Sequence, residues 1–345
     1  MKNTSYLKKI STKFILAVGI PTIILISILS VVLFQEIKRK SFDEYSKFAK
    51  SITNGIANNI YIWTDEIAMR VKLMTQNELV KKALLNPEDP KNLINARTFL
   101  KSVLDDNPSF PDVDIKIIML NNNKTYNVKI GDKPYEVSNG DVLVTALYNR
   151  LLGSNFLNSE YIKQILRGRR YFIGEASFSK TTGMPILPIC AAVYDKVGKT
   201  IGAISVSLDL DYFSTTYVKG FNFGTGVYTF IADEKKRIIS YPLKDTSLNE
   251  KFAKENNSLL DNIVNENKYF IDKYNGIKRH CFVATVPISK DYISNYWYIA
   301  MVVPDKVITS EAYITLTILI IIYIVFLVII LVGIKFFLDL FLENL

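Results

Sequence analysis

Two long apolar runs dominate the pattern of hydrophobic and polar positions along the chain. Residues 14–34 and 312–334 contain no formally charged side chain. Each run reaches the roughly 20 residues that a helix needs to cross the hydrocarbon layer of a membrane. The first run is longer than the apolar region of a cleaved signal peptide, and no small-residue cleavage site follows Phe34. The pattern therefore predicts two transmembrane helices.

The two spans would leave residues 35–311 on one side of the membrane and both chain ends on the other. Four lysines lie in the first 13 residues, which favours a cytoplasmic N-terminus at residues 1–13. The basic residues at 38–40 beyond the span weaken this asymmetry. We predict a two-pass protein of the inner or plasma membrane, with residues 35–311 periplasmic or extracellular and residues 335–345 cytoplasmic.

The segment after the first span has the periodicity of a helix. From residue 36 to about residue 80, apolar side chains recur at intervals of three and four, and Asn86-Pro87 is predicted to end this helix. A second, shorter helix is predicted to end near Asn107-Pro108. A helix of this length is suited to packing on its own sheet, but a coiled-coil stalk is an alternative.

Beyond residue 110 the period changes from helical to alternating, which predicts strands. Two sets of strands follow one another, with a hairpin signal at Asn275-Gly276. The predicted strands are 114–120, 125–130, 170–179, 185–195 and 199–210 in the first set, and 225–232, 236–241, 268–274, 277–287 and 293–303 in the second. The predicted helical intervals are 140–152, 158–167 and 246–266. The fold class is therefore α+β, with two antiparallel sheets and helices packed on them.

Composition and charge exclude several functions. The net charge is +9, but lysine and arginine alternate with acidic residues and asparagine, so we predict no nucleic-acid partner. His280 is the only histidine, and the chain contains no phosphate-binding loop, zinc motif or hydrolase nucleophile motif. We therefore predict no enzyme, no cofactor and no metal. Cys190 and Cys281 lie in apolar, strand-like runs and are predicted to be buried thiols.

Two neighbouring predicted strands carry polar side chains that could form a ligand site. Along 203–210 the residues alternate, with Ile204, Val206, Leu208 and Leu210 on one face and Ser205, Ser207 and Asp209 on the other. Strand 170–179 adds Arg170, Tyr171, Ser177 and Ser179. We predict that this set binds a small polar ligand, with Asp209 binding an ammonium group and Arg170 a carboxylate. The alternative is a solvated face of a half-exposed sheet.

Residues 171–214 also resemble a known family. The Ser179–Gly183 hairpin, the Gly198-Lys199 turn and the Leu208-Asp209-Leu210 strand end are similar to the membrane-distal module of double Cache (dCache) domains in bacterial methyl-accepting chemotaxis receptors. Residues 223–242 resemble the start of the membrane-proximal module. The resemblance implies three parts in the external segment: a stalk helix and a second helix at 35–110, a distal module at 111–220 and a proximal module at 221–304.

The resemblance implies a chemotaxis receptor that binds a small ligand in its distal module and signals through the second span, as a homodimer or within a mixed receptor array. Amino-acid-binding members carry an Arg-x-Trp-Tyr stretch, whereas this chain has no tryptophan between Arg167 and Tyr171. Ser207 also takes the place of the family's aspartate. The ligand therefore stays open among an amino acid, a carboxylate and a purine.

Residues 335–345 are compatible with the first turns of a HAMP-like helix. The sequence leaves open whether the chain is part of a longer receptor or a two-span sensor that acts through a partner. A membrane-anchored interaction protein that pairs with full-length receptors and binds no ligand is the alternative function.

Overall fold

The fold is taken from a computed structural model of the chain, which has no ligand or partner. The structure describes residues 2–106, 114–131, 133–179, 183–218, 220, 226–242, 250–265, 268–287 and 296–343. Residues 180–182, at the tip of the predicted hairpin that follows Ser179, lie outside the described residues.

Helices form both ends of the chain and connect the strands between them. They are α1 (Lys2–Thr75), α2 (Glu78–Leu85), α3 (Pro90–Asp105), α4 (Glu160–Leu166), α5 (Leu210–Tyr217), α6 (Glu250–Glu255), α7 (Asn257–Val264) and α8 (Asp305–Glu343). A 3-10 turn forms at Asn149–Leu151.

The strands form two larger sheets and one small hairpin. They are β1 (Asp114–Met119), β2 (Tyr126–Ile130), β3 (Lys133–Val137), β4 (Val142–Thr145), β5 (Tyr171–Ile173), β6 (Ser177–Phe178), β7 (Pro185–Tyr194), β8 (Thr200–Asp209), β9 (Tyr228–Asp233), β10 (Ile238–Ser240), β11 (Tyr269–Tyr274), β12 (Ile277–Pro287) and β13 (Tyr296–Pro304). The chain is therefore α+β, with a long N-terminal helix and antiparallel sheets, as predicted.

The chain divides into two compact units, Lys50–Val302 and a smaller one formed by Met1–Ala49 with Val303–Leu345. In the smaller unit, α1 and α8 each contain a stretch that is long and apolar enough to cross a membrane, with mean hydropathies of 2.2 and 3.0. The two helices touch in this unit, where the ring centroids of Phe34 and Tyr313 are 5.2 Å apart. Ser41 Oγ also donates a hydrogen bond of 3.4 Å to Glu311.

In the larger unit, the first sheet has the strand order β4-β1-β8-β7-β5, and β6 also pairs with β7. These pairings are antiparallel, with Lys116 opposite both Thr145 and Ser205, and with Cys190 also opposite Ser205. Because residues opposite one another in antiparallel strands share a face, these four side chains lie on the same face of the sheet.

The second sheet of this unit has the order β10-β9-β13-β12-β11. The turn between β11 and β12 is the predicted Asn275-Gly276 hairpin, in which both residues have positive φ, 50° and 79°. Two consecutive positive φ values are typical of the tight turn whose twist matches the flanking strands.

One core connects both sheets to the α1 helix. Ile60, Ile67 and Val71 of α1 are fully or almost fully buried, and they belong to the same apolar cluster as Val206 of β8 and Ile299 of β13. Aromatic side chains link these elements directly. Phe213 of α5 lies 4.9 Å from the Trp63 ring and 5.6 Å from the Trp297 ring, measured between centroids. The helix therefore packs against one face of each sheet.

The two cysteines are buried and free, as predicted. Burial raises the pKa of the Cys281 thiol to about 12, and it raises the pKa of Cys190 as well. His280 is also buried, and its Nδ1 lies 2.8 Å from the Tyr269 hydroxyl.

The structure differs from the predicted elements at helix boundaries. The long helix ends at Thr75 rather than at Asn86, because the Asn77 side chain accepts a hydrogen bond of 2.8 Å from Leu79 N and starts a new helix, α2. The predicted helical stretch 246–266 is two helices in the described residues, separated at Asn256.

Three further differences concern strands. The predicted helix at 140–152 contains strand β4 and a 3-10 turn, because β4 is buried throughout and pairs with β1. The predicted strand 170–179 is two short strands separated at Gly174, where a Cβ atom would come within 2.8 Å of the Pro188 ring. Strand β3 was not predicted at all.

Candidate ligand-binding site

A cavity of about 640 Å³ lies on the face of the first sheet that α1 does not cover. Lys116, Phe172, Pro188 and Ser207, from four neighbouring strands, line it. Most of the other lining residues lie within 155–161, 174–179 and the turn at 234–237, and Ile186 of β7 completes the lining. The cavity therefore combines a sheet floor with walls from loops and from the start of α4.

Lys116 is the charged residue at the floor of this cavity. Its side chain is only 5% exposed, and its Nζ donates a hydrogen bond of 2.9 Å to Ser207 Oγ on the neighbouring strand. The same nitrogen lies 5.6 Å from the centroid of the Phe156 ring, a cation–π arrangement. Burial lowers the pKa of Lys116, and the carboxylate of Asp114 opposes this effect.

Other buried polar atoms lie on the same face, beside Lys116. Asp114 Oδ2 and Thr145 Oγ1 are inaccessible to solvent and have no hydrogen-bond partner among the residues that the structure describes. Ser205 Oγ is equally inaccessible and lies next to the Tyr161 hydroxyl. Burial raises the pKa of the Asp114 carboxyl, while Lys116 and the backbone amide of Leu147 oppose the rise. Buried polar groups are usually hydrogen-bonded, so such a cluster marks a place where water or a ligand can bind.

The opposite wall carries charges that pair with one another. Glu175 accepts from Lys235 Nζ at 2.5 Å and lies 3.2 Å from an Arg237 nitrogen. Arg237 also pairs with Asp233 at 2.5 Å and donates to the backbone oxygen of Ala176. The pKa of Glu234 is raised, first by burial and then by the neighbouring carboxylates of Asp233 and Glu175.

Four of the seven predicted site residues lie at this cavity or beneath it. Ser177, Ser179 and Ser207 line the cavity. Ser205 is fully buried next to Lys116 in the sheet register. The structure therefore brings the four serines together, although their role in binding a ligand stays a prediction.

The other three predicted residues do not line this cavity. Arg170 is exposed. Tyr171 lies opposite Ala191 and packs on the core that contains α1, so strand alternation directs its neighbour Phe172 into the cavity instead. Asp209 caps α5, where its carboxylate accepts hydrogen bonds from the amides of Asp211 and Tyr212 at 2.7 and 3.3 Å.

Lys116 and Phe172 were missed by the sequence reasoning. A signal for Lys116 was present, because Asp114 and Lys116 are the two charged residues of an otherwise apolar strand and lie two positions apart, on one face. Among the described residues, no group of three histidine, cysteine or acidic side chains could hold a metal ion.

Solved structures with the same fold include several sensor domains. The ligand-binding domain of the Pseudomonas fluorescens chemoreceptor CtaA, in complex with L-isoleucine, has a TM-score of 0.51 at 15% identity, and the match covers 79% of this chain and 98% of that one. The domain of the Pseudomonas aeruginosa PAO1 amino acid chemoreceptor PctC, in complex with GABA, has a TM-score of 0.55 at 17% identity, with 75% and 100% covered.

The extracellular domain of a putative histidine kinase, vpHK1S-Z8, is similar too, with a TM-score of 0.56 at 11% identity over 78% of this chain and 98% of that one. No curated protein sequence matches the chain significantly. The family model dCache_1, a Cache domain, matches residues 35–312, which is most of the chain. The chain therefore belongs to the dCache_1 family of Cache domains.

Proposed function

We propose that the chain is the sensory part of a transmembrane chemoreceptor, and that a small ligand binds in the cavity of the first sheet. The observation that carries this proposal is the cavity itself. It has a buried, charged floor and a volume of about 640 Å³, which lies in the range of small-molecule sites. A sensor needs such a pocket, whereas a purely structural domain gains nothing from a buried ammonium group.

The ligand that we propose is an amino acid or another small carboxylate. The similar domains of CtaA and PctC were solved with L-isoleucine and GABA, which supports this class. The chain lacks the tryptophan of the amino-acid-binding pattern and has Ser207 in place of the aspartate, so its contacts with the ligand would differ from the family's usual ones.

Signalling would pass through the second candidate span in this proposal. Strand β13 ends at Pro304 and α8 begins at Asp305, so no loop separates the sheet from the helix. Residues 35–311 would lie outside the cell or in the periplasm, with the N-terminus in the cytoplasm, and the receptor would act in chemotaxis rather than as an enzyme.

Thermal unfolding of the full chain in lipid nanodiscs tests ligand binding. A ligand at 100 times its Kd stabilises the folded state by about 2.7 kcal/mol, because it binds that state alone. We expect at least one compound from a panel of amino acids, carboxylates and purines to raise the Tm. Ser207→Phe, which fills the cavity, should remove that shift. A panel and a native-source extract that produce no shift would refute the proposal.

A second candidate function is a membrane-anchored interaction protein that pairs with full-length receptors. It is favoured by three large apolar side chains of α1, Ile62, Met69 and Leu73, which are 55%, 54% and 57% exposed. Contiguous exposed apolar side chains often mark an interaction surface.

Disulfide crosslinking in membranes tests the second candidate. Both native cysteines are buried, so a cysteine introduced in Ile62→Cys would be the reactive one. This function predicts mixed crosslinked species with other receptors and no ligand-induced Tm shift. Val197→Cys, at a turn residue that is 92% exposed, is the control and should give no specific product. Recovery of monomers alone from Ile62→Cys would refute pairing through this face.

A further inference from the structure

We infer that the deep end of the cavity is a carboxylate site, in which Lys116 and Ser207 bind the anionic group of the ligand. This inference rests on the proposed function and names both the ligand class and the residues that recognise it. The resemblance to the family pointed to Ser207 but not to Lys116, because the family's usual pattern places its arginine elsewhere in the chain.

The first step is the charge of Lys116. An ammonium group has three hydrogen-bond donors, and within the described part of the chain Lys116 uses one of them, toward Ser207. No carboxylate of the described residues lies within 4.0 Å of its nitrogen. A buried cation without a paired anion is unfavourable, so an anionic ligand group would supply the missing partner.

The second step is the Ser207 hydroxyl. Because Ser207 Oγ accepts the hydrogen bond from Lys116, the hydroxyl's own hydrogen is available for another acceptor. Ser207 lines the cavity, so that hydrogen can point toward a bound group. A carboxylate, which accepts at both oxygens, can therefore receive one hydrogen bond from Lys116 and one from Ser207.

The acidic group nearest to this pair does not remove the need for a ligand. Asp114 acts on the pKa of Lys116, yet its Oδ1 accepts from Leu147 N at 3.3 Å and no ion pair joins it to Lys116 in the described residues. Asp114 Oδ2 and the Thr145 hydroxyl, on the same face, have no hydrogen-bond partner within the described part of the chain. Water bound by these groups could connect them to a carboxylate.

The third step is the balance of charge around the cavity. On the opposite wall, Glu175 is paired with Lys235 and Arg237, so these charges compensate one another. Glu160 and Glu234 also line the cavity, so its acidic side chains lie in the walls, whereas the charged side chain at the floor is the cation Lys116. The rest of the lining includes Phe156, Phe172, Ile186 and Pro188, which suit a carbon skeleton. A single positive charge matches a carboxylate better than a doubly charged phosphate.

Isothermal titration of the full chain in nanodiscs, with matched acids and amides as probes, tests this inference. The probes are propionate, isovalerate, L-alanine and L-isoleucine, each compared with its primary amide. We expect at least one acid to bind and its amide to bind at least about tenfold more weakly, since hydrogen bonds to charged groups are the strong ones. Lys116→Met should weaken acid binding by a similar factor.

Lys129→Met is the matched control. It removes an exposed lysine of β2 that does not line the cavity, so we expect acid binding within about threefold of wild type. Ser207→Ala, which keeps Lys116, should weaken acid binding less than Lys116→Met does. It also provides the test if Lys116→Met does not fold.

The outcomes separate this inference from the proposed function. Two outcomes would overturn the carboxylate site and leave the proposed ligand sensing intact. The acids and their amides would bind equally, or acid binding would be unchanged in both Lys116→Met and Ser207→Ala. The same conclusion follows if only compounds without a carboxylate raise the Tm. If neither these probes nor the broader panel bind, both proposals are wrong.

Discussion

The Lys116 ammonium group donates its hydrogen bond to Ser207 Oγ across 2.9 Å, from strand β1 to strand β8 at the floor of the cavity. This contact places a cation where it is 5% exposed, next to apolar and aromatic side chains. Burial therefore lowers the pKa of Lys116. The buried ammonium group lowers the stability of the protein without a ligand, but it can bind an anion. Replacing Lys116 should therefore raise the stability of the unliganded protein and lower its affinity for an anionic ligand.

Lys116→Met should stabilise the unliganded chain at pH 7 by about 1–3 kcal/mol, because it removes a buried charge and keeps most of the side-chain volume. The wild-type pKa in the folded state lies below the ordinary 10.5, so the folded state releases its proton first as the pH rises. Loss of this proton removes the cost of the buried charge. The resulting gain in wild-type stability is complete above pH 10.5 and is lost as the pH falls through the folded-state pKa of Lys116.

The advantage of Lys116→Met should therefore shrink as the pH rises toward 10.5. Denaturant unfolding at pH 7, 8, 9 and 10, followed by tryptophan fluorescence, measures the difference. Lys129→Met, at an exposed position on β2, is the control and should change stability by less than about 0.5 kcal/mol at each pH. A destabilised Lys116→Met that stays equally destabilised at every pH would contradict the prediction.

Asp114→Asn tests the other charged group of this strand. Burial raises the pKa of Asp114 above its ordinary value of 3.8, so its contribution to stability is complete below pH 3.8 and is lost as the pH rises through the folded-state pKa. Each unit of the pKa shift corresponds to about 1.4 kcal/mol. The asparagine keeps an acceptor for Leu147 N without a titrating group.

Wild type should therefore lose stability relative to Asp114→Asn between pH 4 and pH 7, as measured by Tm at intervals of half a pH unit. If the difference in Tm between the two proteins does not change with pH, burial does not raise the pKa of the Asp114 carboxyl. Asp195→Asn, whose carboxylate accepts backbone hydrogen bonds in a turn, is the control for a general effect of removing one acid.

Much of the fold could be predicted because most elements follow one clear period. Strands β1, β7 and β8 alternate or are largely apolar, and the Asn275-Gly276 turn marks the hairpin of β11 and β12. The predicted bounds of these five strands agree with the structure to within about two residues. Strand β4 was predicted as part of a helix, because a buried four-residue run has no period of its own. The pairing of Lys116 with Thr145, which fixes β4 in the sheet, is a long-range contact that local pattern does not contain.

The cavity was predicted less completely than the sheet. Alternation along β8 correctly separated Ser205 and Ser207 from the core face, because that inference needs only the strand period. It could not show that Asp209 is held by the backbone amides of α5, since a helix start and a binding carboxylate have the same sequence signature. It also included Tyr171, as a residue near Arg170, rather than Phe172, which strand alternation directs into the cavity.

A buried ion pair in the second sheet gives a stability prediction independent of the cavity. The Arg279 guanidinium pairs with Asp272, and the two side chains are 8% and 7% exposed. Arg279 also donates to Tyr228 at 3.2 Å and to Asn256. Arg279→Met leaves the Asp272 carboxylate buried without its partner, so we expect a loss of about 3–5 kcal/mol in unfolding free energy.

The double variant Arg279→Met with Asp272→Asn should recover part of that loss, because it removes both charges together. Lys81→Met breaks the pair with Glu78, in which the side chains are 28% and 70% exposed, and should cost less than about 1 kcal/mol. Denaturant unfolding of the four proteins at pH 7 gives the comparison. If Arg279→Met and Lys81→Met changed stability equally, burial of the pair would have no energetic effect.

Two glycines should respond to alanine in opposite directions. At Gly202 a Cβ atom would lie 2.6 Å from Leu84 Cδ1 of α2 and 2.7 Å from the backbone oxygen of Ile118 in β1. The Leu84 side chain could shift, but strand β8 would have to move away from the backbone of β1. Overpacking of this kind costs about 1–3 kcal/mol. At Gly55, inside α1, nothing lies within 4 Å of the added atom.

Gly55→Ala should therefore stabilise the chain by about 1 kcal/mol, the difference in helix propensity between the two residues. The two variants add the same methyl group, so the difference between their Tm values reports the local packing rather than composition. We expect Gly202→Ala to melt below wild type and Gly55→Ala above it. A Gly202→Ala protein that melts at or above the wild-type temperature would mean that β1 and α2 do not lie this close to β8, and that the end of the sheet next to the β7–β8 turn is looser than the structure describes.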